Sequence, residues 1–166
     1  MDRSRSMYGI LLSLVALWCL SIVGAPLARI AGAPAVIPDF LYAMFSRVCH
    51  QFPDRTFHLA GEPFGVCIRC SAIYFGFLAM LVAYPFVWSI GETAVPPRWI
   101  LIAGLAPMAI DVVLNFFGFH ASSVLTRVIS GSIAGMILPF FVVPPLLDAL
   151  NKFLVSGEPI DARQTQ

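Results

Sequence analysis

The sequence predicts an all-α integral membrane protein: a bundle of four transmembrane helices with a short interfacial helix in its first loop. Three observations lead there. Hydrophobic residues make up 59% of the 166-residue chain and charged residues only 11%, and mean hydropathy is +0.87. A water-soluble domain of this size needs more charge to solvate its surface. Four apolar stretches are each long enough to cross a hydrocarbon core of about 30 Å, which takes about 20 helical residues. The period-two alternation of a membrane barrel is missing, and open strands would leave backbone groups unpaired in lipid.

The first stretch covers residues 7–25, after Arg3 and Arg5. A basic start and an apolar middle also suit a cleaved signal peptide. The run is longer than a signal needs, and a cut after Ala25 would leave Pro26 beside the bond, so an uncleaved anchor is expected. Pro26, Pro34 and Pro38 then break the chain. Leu41, Met44, Phe45 and Val48 follow helical spacing, predicting an amphipathic helix over residues 39–50 with Asp39 as its cap. Ser46, Cys49 and His50 would share its other face.

The remaining membrane helices are expected at residues 67–90, 99–117 and 123–147, with Pro96-Pro97 turning the chain before the third. Pro107, Pro139, Pro144 and Pro145 should kink the last two. Trp18, Trp88 and Trp99 suit packing or interfacial anchors, and His120 an exposed turn. Residues 1–155 read as one domain, and residues 156–166 as a disordered polar tail. Arg3, Arg5, Arg98, Lys152 and Arg163 fall on the side of the termini; Arg29, Arg47 and Arg55 fall on the other, with Arg69 at its border. The positive-inside rule therefore places the termini in the cytoplasm and the 26–66 loop outside. A net charge of +1 without a basic run gives no footprint for nucleic acid.

Polar residues converge on one face. Helix two begins, helix three ends and helix four begins on the side that also carries the 26–66 loop. Asp111 lies about 9 Å from the end of helix three and Arg127 about 6 Å into helix four, at the helical rise per residue. Cys67, Arg69 and Cys70 open helix two. A carboxylate in lipid costs about 3 kcal/mol unless paired, so Asp111 should turn inward to Arg127 or Arg69. Gly131 and Gly135 would let a neighbouring backbone approach.

Several chemistries fit the cysteines. Cys49, Cys67 and Cys70 with His50 or His58 would make a Cys₃His set of the zinc type, iron being a second option. Alternatively, Cys67-x-x-Cys70 at a helix N-terminus beside Arg69 should have a lowered thiol pKa and could serve quinone-linked disulfide exchange. Vitamin K epoxide reductases and the bacterial disulfide-bond-formation B proteins have that four-helix plan. A structural disulfide in a non-enzymatic assembly or binding protein is the third reading. Cys19, mid-helix, suits a buried apolar role. In an enzyme, Arg69 and Arg127 would hold an anionic or lipid-linked substrate while Asp111 or His50 moved protons.

The run Cys49-His50-Gln51, Pro53, Arg55, Phe57, then Cys67, Arg69, Cys70, Ile73, Tyr74 and Gly76, resembles a family of small polytopic membrane proteins known as domain of unknown function 2085. Asp111 and the run from Arg127 to Gly135 continue the resemblance, which spans residues 45–140. Asp111-Val112 followed by Asn115 departs from the family's Asp-Gly-x-x-Gln, and His58 stands outside its pattern. The resemblance implies a membrane fold and a polar cluster; it implies no activity.

Overall fold

The computed structural model describes residues 3–119 and 122–156, with side chains to residue 153. His120 and all of the tail beyond Ser156 lie outside the described residues.

Four apolar spans cross from face to face: Arg3–Ile30, Ile68–Val87, Arg98–Phe116 and Val124–Phe153. We label the helices α1 (Arg3–Ile30), α2 (Val36–Phe45), α3 (Ile68–Val87), α4 (Arg98–Phe116), α5 (Val124–Ile137) and α6 (Pro139–Ser156). The fourth span is α5 and α6 end to end, divided at Leu138. Outward faces are apolar throughout: Leu17 is 64% exposed, Ile102 68% and Phe116 82%. Surfaces of this kind are stable against acyl chains and unstable in water.

The first helix is longer than the sequence suggests. Pro26 does not end it; it sits buried inside α1. Proline removes one backbone donor, freeing the carbonyl four residues earlier. That carbonyl, on Ile22, faces Gly65, where a Cβ would stand 3.4 Å from it and 2.6 Å from the Phe45 ring. Helix and loop thus come together at a glycine.

The interfacial helix starts earlier and stops sooner than residues 39–50. Pro38 lies in its first turn, where a missing N–H costs nothing. Asp39 is in that turn too, and it pairs with Arg29 at 3.2 Å rather than capping. Past Phe45 the chain leaves the helix, so Ser46, Cys49 and His50 do not share a helical face. Cys49 is buried while Ser46 and His50 are exposed.

A β-hairpin follows that the hydrophobic pattern does not announce. β1 (Thr56–Leu59) and β2 (Glu62–Cys67) pair antiparallel, with Leu59 opposite Glu62 and Thr56 opposite Cys67. Ala60 and Gly61 turn the chain with φ of 49° and 90°, the left-handed pair that matches hairpin twist. Gln51 pins the hairpin to the rest of the loop, donating to Tyr42 O at 3.0 Å and Gly65 O at 2.7 Å. Tyr42 adds a bond from its hydroxyl to Pro63 O at 2.5 Å.

Helices α3 and α5 pack most intimately. A Cβ on Gly131 would lie 2.9 Å from Ala72 Cβ and from Arg69 O, and one on Gly76 would lie 2.8 Å from Ser132 O. Gly135 abuts the Ile73 backbone more closely still. Small residues are what allow this approach, and it fixes the start of α3 against the start of α5.

Candidate functional site

The site lies where that close contact meets the hairpin. Cys67, the last residue of β2, is also the N-cap of α3. Its backbone N–H donates to Cys49 Sγ at 3.2 Å. Cys70 is one turn into α3, and both it and Cys67 pack on an apolar floor of Ile22, Phe45, Cys49 and Val66. Trp18 completes that floor, with its ring 5.0 Å from Phe45 and 5.8 Å from Tyr74. Three cysteines from two segments are therefore held together by helix packing, and all are free.

Hydrogen bonding separates the thiols electrostatically. Burial opposes ionisation of Cys49, but donors from the Cys67 and Gln51 backbones, supported by the Cys67 and Cys70 thiols, outweigh it and lower its pKa. Cys67 moves the other way, raised first by burial and then by its proximity to Cys49. The expected activation of the Cys67 thiol at the mouth of α3 is thus corrected. The helix N-terminus is spent differently: the Cys67 N–H serves the sulfur of Cys49, which becomes the more acidic thiol.

Above the thiols is a cavity of about 220 Å³. Cys49, His50, Cys67 and Cys70 line it together with Arg55, Arg69, Arg127 and Asn115. His50 stacks on Phe52, ring centroids 5.7 Å apart. His58 is exposed on β1 and is not part of the lining. Among the described residues, no group of three or more His, Cys, Asp or Glu is arranged as a metal-holding set.

Behind the arginines is a polar relay. Asp111, 8% exposed on α4, pairs with Arg69, one of the two partners the sequence allows. Ser122 donates to Asp111 Oδ2 at 2.8 Å and accepts from Arg127 Nε at 3.2 Å. Arg127 therefore reaches the carboxylate only through a hydroxyl. Ser123 caps α5 by accepting from the Thr126 N–H at 3.2 Å, which sets the height of Arg127 in the bundle. Roles for Arg55, Ser122 and Gln51 are not deducible from spacing. Arg55 and Gln51 do fall within the run Cys49–Phe57, which was the available signal.

Cys19 stays apart from the cavity, 1% exposed in α1, with Sγ 3.5 Å from Tyr74 O.

Comparison with known proteins agrees with this picture at the level of family. A 34% identical relative, the uncharacterized protein MJ1492 of Methanocaldococcus jannaschii, aligns over 152 residues, 89% of this chain and 97% of that protein. An uncharacterized protein of Methanothermobacter thermautotrophicus is 33% identical over 92 residues, 55% of this chain and 81% of its own length. No solved structure matches. The DUF2085 family, described as a predicted membrane protein, matches residues 49–141, the stretch from the first site cysteine to the beginning of α6. This chain belongs to the DUF2085 family of membrane proteins.

Proposed function

We propose that the protein is a membrane thiol–disulfide centre in which Cys49 is the reactive thiolate and Cys67 and Cys70 are its exchange partners. The observation that carries the reading is the bond from Cys67 N–H to Cys49 Sγ at 3.2 Å. It places the most acidic of the site's thiols against a CxxC pair, supplying the partner that Cys49 lacks in the linear sequence. A lowered thiol pKa increases the thiolate fraction, which is the nucleophilic form.

Closing the Cys49 thiolate onto the Cys67 or Cys70 thiol breaks one S–H bond, forms one S–S bond and releases one proton and two electrons. The acceptor is of the quinone class, soluble in the same bilayer, and takes up both electrons, that proton and a second from water to become a quinol. With the termini in the cytoplasm, the centre faces the outer side, where disulfides persist.

A second reading has its own support. Cys49, Cys67, Cys70 and His50 all line one cavity, and N–H bonds to sulfur favour the thiolate a zinc-type ion requires. His50 would have to leave Phe52 to complete that set.

Oxidation of the reduced protein in detergent with a short-chain quinone, followed by peptide mapping, tests the first reading. A Cys49–Cys67 or Cys49–Cys70 crosslink with one quinol formed per crosslink is expected. Thiols that stay reduced under excess quinone would overturn it.

A further inference from the structure

We infer that the cavity above the thiols binds a doubly charged oxyanion of the phosphate-monoester class, gripped by Arg55 and Arg127. The proposal concerns the same pocket as the thiol centre and rests on its being the functional site, but not on the thiol chemistry.

Charge accounting leads to it. Three guanidinium groups line the cavity, and Asp111 neutralises Arg69. The other ion pairs among the described residues are Arg29–Asp39, Arg29–Glu62 and Lys152–Asp148. Among the described residues neither Arg55 nor Arg127 therefore has a carboxylate partner, and three lining cations less one anion leave an excess of two positive charges. Both remain when Cys49 is protonated or held in a disulfide, and that is the state that balances a dianion; ionising Cys49 removes one of them. Asp54, beside Arg55 in sequence, is exposed and is not part of the lining.

Arg55 is exposed at the cavity mouth, where water screens it, whereas Arg127 is half-buried at the start of α5 and its charge is costly there without an anion. The arrangement is nevertheless built rather than incidental. Arg127 is oriented by its Nε bond to Ser122, leaving its terminal nitrogens for another acceptor. Arg55 is braced over the Phe52 ring, 5.6 Å from the centroid. Arg69 contributes a buried Nε without a partner. Guanidinium forks match the spacing of phosphate oxygens, and two of them balance a dianion. The cavity is at the membrane face, so the phosphate could be the headgroup of a lipid or a soluble ion.

The test uses the full chain in phosphatidylcholine nanodiscs, with thermal unfolding as the readout. One arm titrates inorganic phosphate against sodium chloride of equal ionic strength. The other replaces a tenth of the lipid with phosphatidic acid or, as a singly charged phosphodiester control, phosphatidylglycerol. A saturable rise in midpoint is expected in at least one arm: phosphate alone identifies a soluble ligand, phosphatidic acid alone a lipid headgroup. Arg127→Gln should weaken the response about tenfold or more, the loss of one charge-assisted pair. Arg127→Lys should recover part of it. Arg55→Gln, lying outside the bundle, repeats the test without disturbing helix packing. Silence in both arms would overturn the proposal. So would a rise matched by sodium chloride, or one unchanged in both Gln variants. Cys49→Ser separates the two claims: it abolishes disulfide exchange, while removing a thiolate from the lining should strengthen the phosphate response rather than remove it.

Discussion

The pair of Arg69 and Asp111 offers the sharpest energetic test of how the site is held. Asp111 is 8% exposed and its partner 25%. Removing one member of a buried pair strands the other charge and costs about 3–5 kcal/mol. The partial exposure of Arg69 puts Asp111→Ala near the lower end, about 3 kcal/mol. Arg69→Ala should cost a similar amount, since Asp111 keeps its bond from Ser122 but loses its countercharge. If the two charges serve mainly each other, the double variant should cost little more than either single one. The coupling energy would then be about 2 kcal/mol or more, within the range for contacting residues. Unfolding by sodium dodecyl sulfate in mixed micelles, followed by circular dichroism, gives the four free energies of the cycle. Additivity within about 0.5 kcal/mol would refute the reasoning. Arg127 would then be sharing the carboxylate more fully than its route through Ser122 suggests.

Other outcomes follow from the geometry. Gly131→Ala should lose about 1–3 kcal/mol, because the new methyl overpacks Ala72 and the Arg69 carbonyl. Gly9, with nothing within 4 Å of its virtual Cβ, should accept alanine without loss in the same micelle assay. For Cys49, with its pKa lowered, and Cys67, with its pKa raised, iodoacetamide rates against pH should rise at lower pH for Cys49. In linkage terms, the depressed Cys49 pKa contributes stability present above the unfolded thiol value and lost as pH falls through the folded one; an identical pair of labelling profiles would count against the assignment. Gln51→Ala deletes the bonds to Tyr42 O and Gly65 O, costing about 1–3 kcal/mol for the carbonyls left behind. It should also shift the Cys49 profile upward as the loop loosens from Cys67. Ser123→Ala should cost about 1 kcal/mol as a lost cap.

Much of the fold was legible because lipid makes heavy demands on a sequence. A span must be long, apolar and helical, so the four helices follow from hydropathy within a few residues at most ends. The faults lie where other forces decide. Pro26 looks like a stop, yet the hairpin packs against the carbonyl it frees, and α1 continues. The hairpin has no clear sequence signal because Ala60 stands where Asn or Asp usually opens such a turn, and Pro63 and Gly65 are poor strand formers. Without the hairpin, Cys49 could not be brought to Cys67, and residues 39–50 looked like one helix.

The gathering of Cys67, Cys70, Arg69, Asp111 and Arg127 at one face followed from topology alone. The choice of Arg69 over Arg127 as the partner of Asp111 did not, since it depends on Ser122 standing between Arg127 and the carboxylate. The acidity of Cys49 was likewise hidden. A helix N-terminus was visible at Cys67, but which sulfur its N–H would serve is a tertiary fact.

The central claim is that Cys49, Cys67 and Cys70 act as one thiol centre. Elemental analysis of the detergent-purified protein, paired with a free-thiol count before and after reduction, tests it most directly. The account predicts less than stoichiometric metal and two thiols that appear only on reduction, with Cys49 among them. About one zinc or iron per chain, lost in Cys67→Ser or Cys70→Ser, would contradict the exchange reading and establish a metal centre in its place.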